Sequence, residues 1–465
     1  MKHFFLLIVC CWISTCFAQS HDITVELSKF ANQKVYLGFY YGSSKGLQDS
    51  VVLDANGKGH FKGNNPLSKG IYFLVSPQKE IMFELLIPES QNFSIRSNSS
   101  TFPYDLKFTG SDENQLFYQY SLQSNFYGQS LNRLYKIPDP SPLVKDSIQT
   151  YQQKLNDARK MVVNSNPNSM IAHFLKAMEE PAIPPASQQP GGKFDTAYVR
   201  KYFKDNYWGP IDFTDAMYLR TPFFESKLNT YFTHIIAPVA DSIIKEVDYM
   251  LAFASVDAEM YRYLLMHFVS KYIQPQYMGQ DAVFIHLFEK HIAPGNADFI
   301  PKETREFIDK RAYSMMANQI GNPAPALDLI DINGKNISLY KINAPLTVIC
   351  FWDPTCSHCK ELMPKIDSVY QKEWKQKGIV LLAVNIGQDI PLWKDYIKTN
   401  KIDTWTHAYR DHAAEEALLA QQKPGYKQLY DIFQTPLLYL VDDQKRIVAK
   451  RLNLEQLNEM VKLKL

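Results

Sequence analysis

Apolar and polar residues alternate with a period of two through residues 20–110. Ile23, Val25 and Leu27 fall on one face, and Val35, Leu37 and Phe39 repeat the pattern. Further runs lie at 50–53, 71–75, 81–87 and 93–96, with a turn signal at Asn56-Gly57. Short half-buried strands joined by turns predict an antiparallel β domain over 19–110, a sandwich or a barrel. From Ser111 the period becomes helical. Amphipathic stretches follow at 112–135, 143–163, 168–180, 195–206, 221–236, 239–255, 256–273, 281–292 and 302–318. Proline clusters at 137–142 and 180–192 interrupt them. This predicts an α-helical domain over 111–318. Beyond it strands and helices alternate: strand 346–352, helix 357–375, strand 378–386, helix 391–400, strand 405–409, a helical segment 411–432, a hairpin 437–451 and helix 453–463. That order predicts an α/β domain over 319–465 with a mixed sheet. The expected fold class is therefore multidomain: N-terminal antiparallel β, central α-helical, C-terminal α/β.

Length agrees, since 465 residues correspond to about three domains of roughly 150 each. The 46% hydrophobic content suffices for packed cores. Lys+Arg 50 against Asp+Glu 48 leaves a net +2 with no basic run, so no nucleic-acid partner is expected. Residues 1–18 carry a basic start, an apolar run from Phe4 to Ile13 and a small Ala18, the layout of a secretory leader. Export to a periplasm is expected, with lipidation at Cys16 as the weaker alternative. Cys10, Cys11 and Cys16 would leave with the leader, so Cys350, Cys356 and Cys359 remain, all within ten residues. A disulfide framework would spread its cysteines to close long loops. This clustering points instead to a reactive pair.

The pair sits in Phe351-Trp352-Asp353-Pro354-Thr355-Cys356-Ser357-His358-Cys359-Lys360. A buried strand enters a proline turn, and a helix begins near Cys356. Unpaired N–H groups and partial positive charge at a helix start favour a thiolate there. Cys359, three residues on, shares the helix face and can attack a mixed disulfide formed at Cys356. Ser357 and His358 lie between and would tune the pair. A protonated His358 would stabilise the thiolate and make the couple more oxidising, within a range from about −270 to about −120 mV. Half of a zinc site is the alternative, but it requires two further ligands at knuckle spacing, which His407 and His412 do not supply. Thr435-Pro436 precedes the strand 437–441; a cis bond is expected there, offering the Thr435 backbone to a client peptide. The candidate site is thus Cys356 and Cys359 for catalysis, Ser357 and His358 for tuning, and Thr435, Pro436 and Trp352 for client binding, with no metal and no cofactor.

These motifs, with Gly321-Asn322-Pro323-Ala324-Pro325, the run from Leu329 to Lys335, Met363-Pro364 and the run from Tyr430 to Pro436, resemble the TlpA/ResA-like branch of the thioredoxin fold. The preceding residues resemble the uncharacterised β and helical regions attached to such domains in exported Bacteroidetes proteins. The resemblance implies a thiol–disulfide oxidoreductase with Cys356 as nucleophile, Cys359 as resolving thiol and Pro436 in cis. It implies disulfide-containing client proteins, a membrane electron donor of the thiol-transfer type, and a homodimer formed through the N-terminal regions. Two departures stand out. Many thioredoxins carry a buried acid where this chain has Cys350, and ResA-like members often carry a Glu where it has Leu362. Asp353, Glu361 or water would then have to serve as the general base. The resemblance favours a reductant, whereas His358 favours an oxidant or isomerase. The rival reading is an envelope binding or scaffold protein whose last domain is a redox switch or docking module.

Overall fold

The computed structural model describes residues 20–98 and 100–465; the expected leader and Cys16 lie outside them. The chain divides into two compact units. One holds the described residues up to Ile236 with Phe253–Met260, the other Ala237–Ala252 with Tyr261–Leu465. The helices expected at 111–318 are accordingly shared between the units.

The first unit begins with β1 (His21–Leu27), β2 (Lys34–Tyr41), β3 (Ser44–Val52), β4 (Lys58–Gly63), β5 (Gly70–Val75), β6 (Ile81–Ile87), β7 (Asn92–Ser97) and β8 (Lys107–Thr109). They form two four-stranded sheets, ordered β4-β1-β7-β8 and β3-β2-β5-β6. The alternating residues meet in a common core, Ile23, Val25 and Leu27 from β1 with Val35, Leu37, Leu74 and Leu85. This is a sandwich, and its described pairs are antiparallel except β1 with β7, which run parallel (Ile23 beside Phe93). A period of two fixes which face is buried but not the direction of the neighbour.

Helices α1 (Asp112–Leu134), α2 (Pro142–Ser165), α3 (Met170–Ala177), α4 (Thr196–Asn206) and α5 (Phe224–Thr230) complete that unit. The Ser111 side chain caps α1, accepting from the Asn114 N–H, with Asp112 and Glu113 in the first turn. Buried Asn114 then acts as a strand residue. Its side-chain carbonyl accepts from the Leu86 N–H at 2.7 Å, and its amide donates to the Leu86 carbonyl at 2.9 Å. The helix is thereby tied to the outer edge of β6.

The second unit takes most of α6 (Ala240–Ala254) and α7 (Ala258–Tyr272), then α8 (Asp281–Leu287) and α9 (Lys302–Ala317). A seven-stranded sheet follows, ordered β10-β9-β13-β12-β11-β14-β15. Its strands are β9 (Asp328–Asp331), β10 (Asn336–Ser338), β11 (Leu346–Trp352), β12 (Val380–Asn385), β13 (Thr406–Tyr409), β14 (Leu437–Asp442) and β15 (Ile447–Lys450). Central β11 is buried at every residue, parallel to β12 and antiparallel to β14. Val348, Cys350 and Trp352 face one layer with Met363, Trp374 and Trp393. Ile349 and Phe351 face the other with Tyr430 and Tyr439. Burial on both faces explains why the strand reads as an unbroken apolar run. The covering helices are α10 (Ser357–Val369), α11 (Ile390–Thr399), α12 (His412–Ala420), α13 (Tyr426–Leu429) and α14 (Leu454–Lys464). The helical segment expected at 411–432 is broken between α12 and α13, where Lys423-Pro424-Gly425 disfavours helical backbone.

Candidate active site

Strand β11 ends at Trp352 and the chain turns through Asp353-Pro354-Thr355. The Asp353 carboxylate accepts from the Thr355 N–H at 2.7 Å and its hydroxyl at 2.6 Å, and the Asp353 carbonyl accepts from the Cys356 N–H at 3.1 Å. Cys356 is the residue immediately before α10, with extended backbone (φ −74, ψ 124). The Cys359 N–H points back at its sulfur. Burial pushes the Cys356 thiol up, but hydrogen bonds from the Cys359 backbone and the Thr435 and Cys359 side chains outweigh it, and the net shift is downward. Cys359 lies one turn on, fully buried. Burial, joined by the neighbouring Cys356 sulfur, pushes its thiol up to about 12. The two sulfurs are therefore unequal in access and in acidity. All three described cysteines are free thiols.

The Thr435–Pro436 bond is cis, and the Cys356 thiol faces the Thr435 carbonyl at 3.5 Å. The structure thus brings Cys356, Cys359, Thr435 and Pro436 together. Ser357 and His358 are exposed on the first turn of α10. Trp352 requires correction as a client-binding residue. It has no exposed surface, and its ring packs on Tyr396 at 5.4 Å and near His407 at 6.3 Å. A fully covered ring cannot touch a client; it forms part of the floor under the dithiol.

Neither substitute base lies beneath Cys359. The Asp353 carboxylate is engaged within its own turn. Glu361 is exposed. Cys350, buried in β11, has its thiol pushed far up by burial.

Sequence reasoning gave no role to a charged cluster beside this site. The Asp431 carboxylate pairs with both Arg311 and Arg451, and Arg311 also donates to the Ile273 carbonyl at 2.9 Å. Nearby, buried Lys450 donates to Asp281 at 2.6 Å and to the Asn318 carbonyl at 2.8 Å. The one signal in the chain is Lys450-Arg451 closing an otherwise apolar strand.

A family model described as thioredoxin-like matches residues 345–459. Residues 345–459 belong to the thioredoxin-like family. Two other models, both described as domains of unknown function, match 21–117 and 147–312. Among curated proteins, a thiol-disulfide oxidoreductase ResA of Bacillus cereus is 30% identical over 80 residues, 17% of this chain and 46% of the relative. The chain thus spans about half of that relative's length. The ResA of Bacillus thuringiensis is 24% identical over 148 residues, 31% of this chain and 78% of the relative. Among solved structures, a thioredoxin-like protein from Bacteroides caccae is 19% identical, covering 61% of this chain and 98% of its own, with a TM-score of 0.47. A thiol:disulfide interchange protein from Bacteroides sp. is 27% identical, covering 32% and 91%, with a TM-score of 0.28. In the thioredoxin-like domain, the chain carries its dithiol where the first parallel strand meets its helix.

Proposed function

We propose that the protein is an exported thiol–disulfide oxidoreductase that acts on protein disulfides through Cys356 and Cys359. The observation that carries this reading is the juxtaposition at Cys356. A half-exposed sulfur of lowered pKa faces the carbonyl before Pro436, with a buried second thiol one turn behind.

The Cys356 thiolate attacks a client disulfide, forming a mixed disulfide and expelling one client thiolate. Cys359 then attacks the Cys356 sulfur, the mixed bond breaks, and the second client thiolate leaves. The Cys359 proton passes to a departing thiolate. The client has gained two electrons and the protein holds a Cys356–Cys359 disulfide. A dithiol donor, for which a membrane thiol-transfer protein has the right chemistry, returns the pair to its reduced form. The Thr435 backbone is placed to pair with an extended client segment. The leader-like pattern of residues 1–18 supports a periplasmic setting.

Turnover tests this proposal. The unaltered protein should reduce insulin disulfides catalytically with a thiol donor, and Cys356→Ser should abolish turnover. Cys359→Ala should accumulate a covalent adduct that reductant releases. Undiminished turnover in Cys356→Ser would refute the proposal.

A further inference from the structure

Beside Pro436 opens a cleft of about 540 Å³. Gln434 and Pro436 line it, one residue either side of the carbonyl that Cys356 faces. The opposite wall comes from outside the thioredoxin-like match: Gln274, Pro275, Phe307 and Arg311. Three charged residues line the cleft, Arg311, Arg451 and Asp431. Two guanidiniums share one carboxylate, leaving one net positive charge. Lys450 and Asp281 neutralise each other at 2.6 Å and add nothing. Arg311 is spent on its contacts, with 5% of its side chain exposed, whereas Arg451 keeps 33% exposed. Apolar surface frames this charge. Phe433 is 67% exposed with its ring 4.4 Å from the Arg311 guanidinium, and Phe307 is 50% exposed. Asp431 and Arg451 also hold positive φ, 53° and 59°, a conformation that non-glycine residues adopt at a cost.

We infer that this cleft receives the client segment flanking the disulfide and favours one carrying a carboxylate beside an apolar side chain. The inference rests on the oxidoreductase reading and deepens it. A carboxylate can reach the guanidinium N–H groups of Arg451 that Asp431 leaves free, and an apolar neighbour can cover Phe433 and Phe307. The cleft is continuous with the Thr435-Pro436 segment, so one extended peptide can span both.

The test uses two synthetic peptides with one internal disulfide, identical except for Glu against Gln two residues from a cysteine. Second-order rate constants for their reduction by the reduced full chain are measured at low salt. The Glu peptide should react about fivefold faster, the upper end for a half-exposed ion pair. The ratio should fall to about one in Arg451→Gln and persist in Arg451→Lys, which keeps the charge. It should also fall toward one as salt rises to about 1 M, where screening acts over about 3 Å. Equal rates with the unaltered protein, or a ratio that ignores both Arg451→Gln and salt, would overturn the inference while leaving the oxidoreductase reading intact. If neither peptide is reduced, the underlying reading fails and the inference fails with it. Should Arg451→Gln lose its fold by circular dichroism, the salt series on the unaltered protein decides alone.

Discussion

The two thiols should titrate far apart, and alkylation can measure the gap. Cys356 lies below its ordinary value of 9.0. Cys359 is pushed up to about 12. The separation is thus more than about three units. At pH 7 a thiol of pKa 12 is ionised about once in 10⁵ molecules, while one below 9.0 is ionised more than about once in a hundred. The thiolate is the reacting species, so ionisation alone separates the alkylation rates by more than a thousandfold. Burial of Cys359 widens the gap. The assay treats reduced protein with iodoacetamide from pH 5 to 9 and follows the Cys350, Cys356 and Cys359 peptides by mass spectrometry. Cys356 should label with a midpoint below the ordinary thiol value of 9.0, while Cys350 and Cys359 stay unmodified until the fold opens. In Cys356→Ser, Cys359 should remain protected, because burial and not the neighbouring sulfur is the larger cause of its shift. A Cys356 midpoint at or above the ordinary 9.0, or Cys359 labelling within tenfold of Cys356, would remove the physical basis for assigning attack to one and resolution to the other.

Burial lowers the His407 pKa from 6.5 to about 4, so the unfolded chain protonates first and stability falls as pH drops through that window, by roughly 3 kcal/mol; His407→Gln should flatten the urea midpoint between pH 6.5 and 4 relative to the unaltered protein. Lys450→Met strands Asp281 as a buried charge and should cost roughly 3–5 kcal/mol, whereas Lys450→Met with Asp281→Leu should recover most of that loss, as read from urea denaturation. Asn114→Leu leaves the Leu86 N–H and carbonyl without their side-chain partner and should cost about 2 kcal/mol by thermal melting, with no effect on the alkylation of Cys356.

Where one residue class repeats with one period, the chain could be read directly. The apolar run 346–352 has to be a strand buried on both faces, and the helix after it places Cys356 and Cys359 one turn apart. Thr435-Pro436 was legible because a proline before a central strand demands special geometry. Strand β4 escaped because KGHFKG puts one large apolar residue, Phe61, into the core. The first half of β3 is mostly exposed, so no alternation marks it. The parallel pairing of β1 with β7 depends on tertiary contacts that periodicity does not carry. Trp352 was misplaced for a related reason: proximity in sequence to Cys356 says nothing about which side of the sheet a ring occupies. Its even-numbered neighbours Val348 and Cys350 show the side, toward the core under α10.

The charged residues were the least legible, and they bear most on how the second unit works. Arg311, Asp281, Asp431 and Lys450 read as surface residues in a sequence, yet each is buried. Taking such groups from water costs several kcal/mol apiece and is tolerated only where every charge finds partners. Here each does: Lys450 has Asp281 and Asn318, and Asp431 has two guanidiniums. The partners come from both sides, Asp281, Arg311 and Asn318 from the helical segment and Asp431, Lys450 and Arg451 from the thioredoxin-like domain. Because each charge is buried with its partner, a change that removes one member strands the other without water, so the helical residues and the domain residues have to be kept as a set. The helical wall lines the same cleft as Gln434 and Pro436, and the proposed client selectivity should follow the chemistry of that wall as much as that of the dithiol.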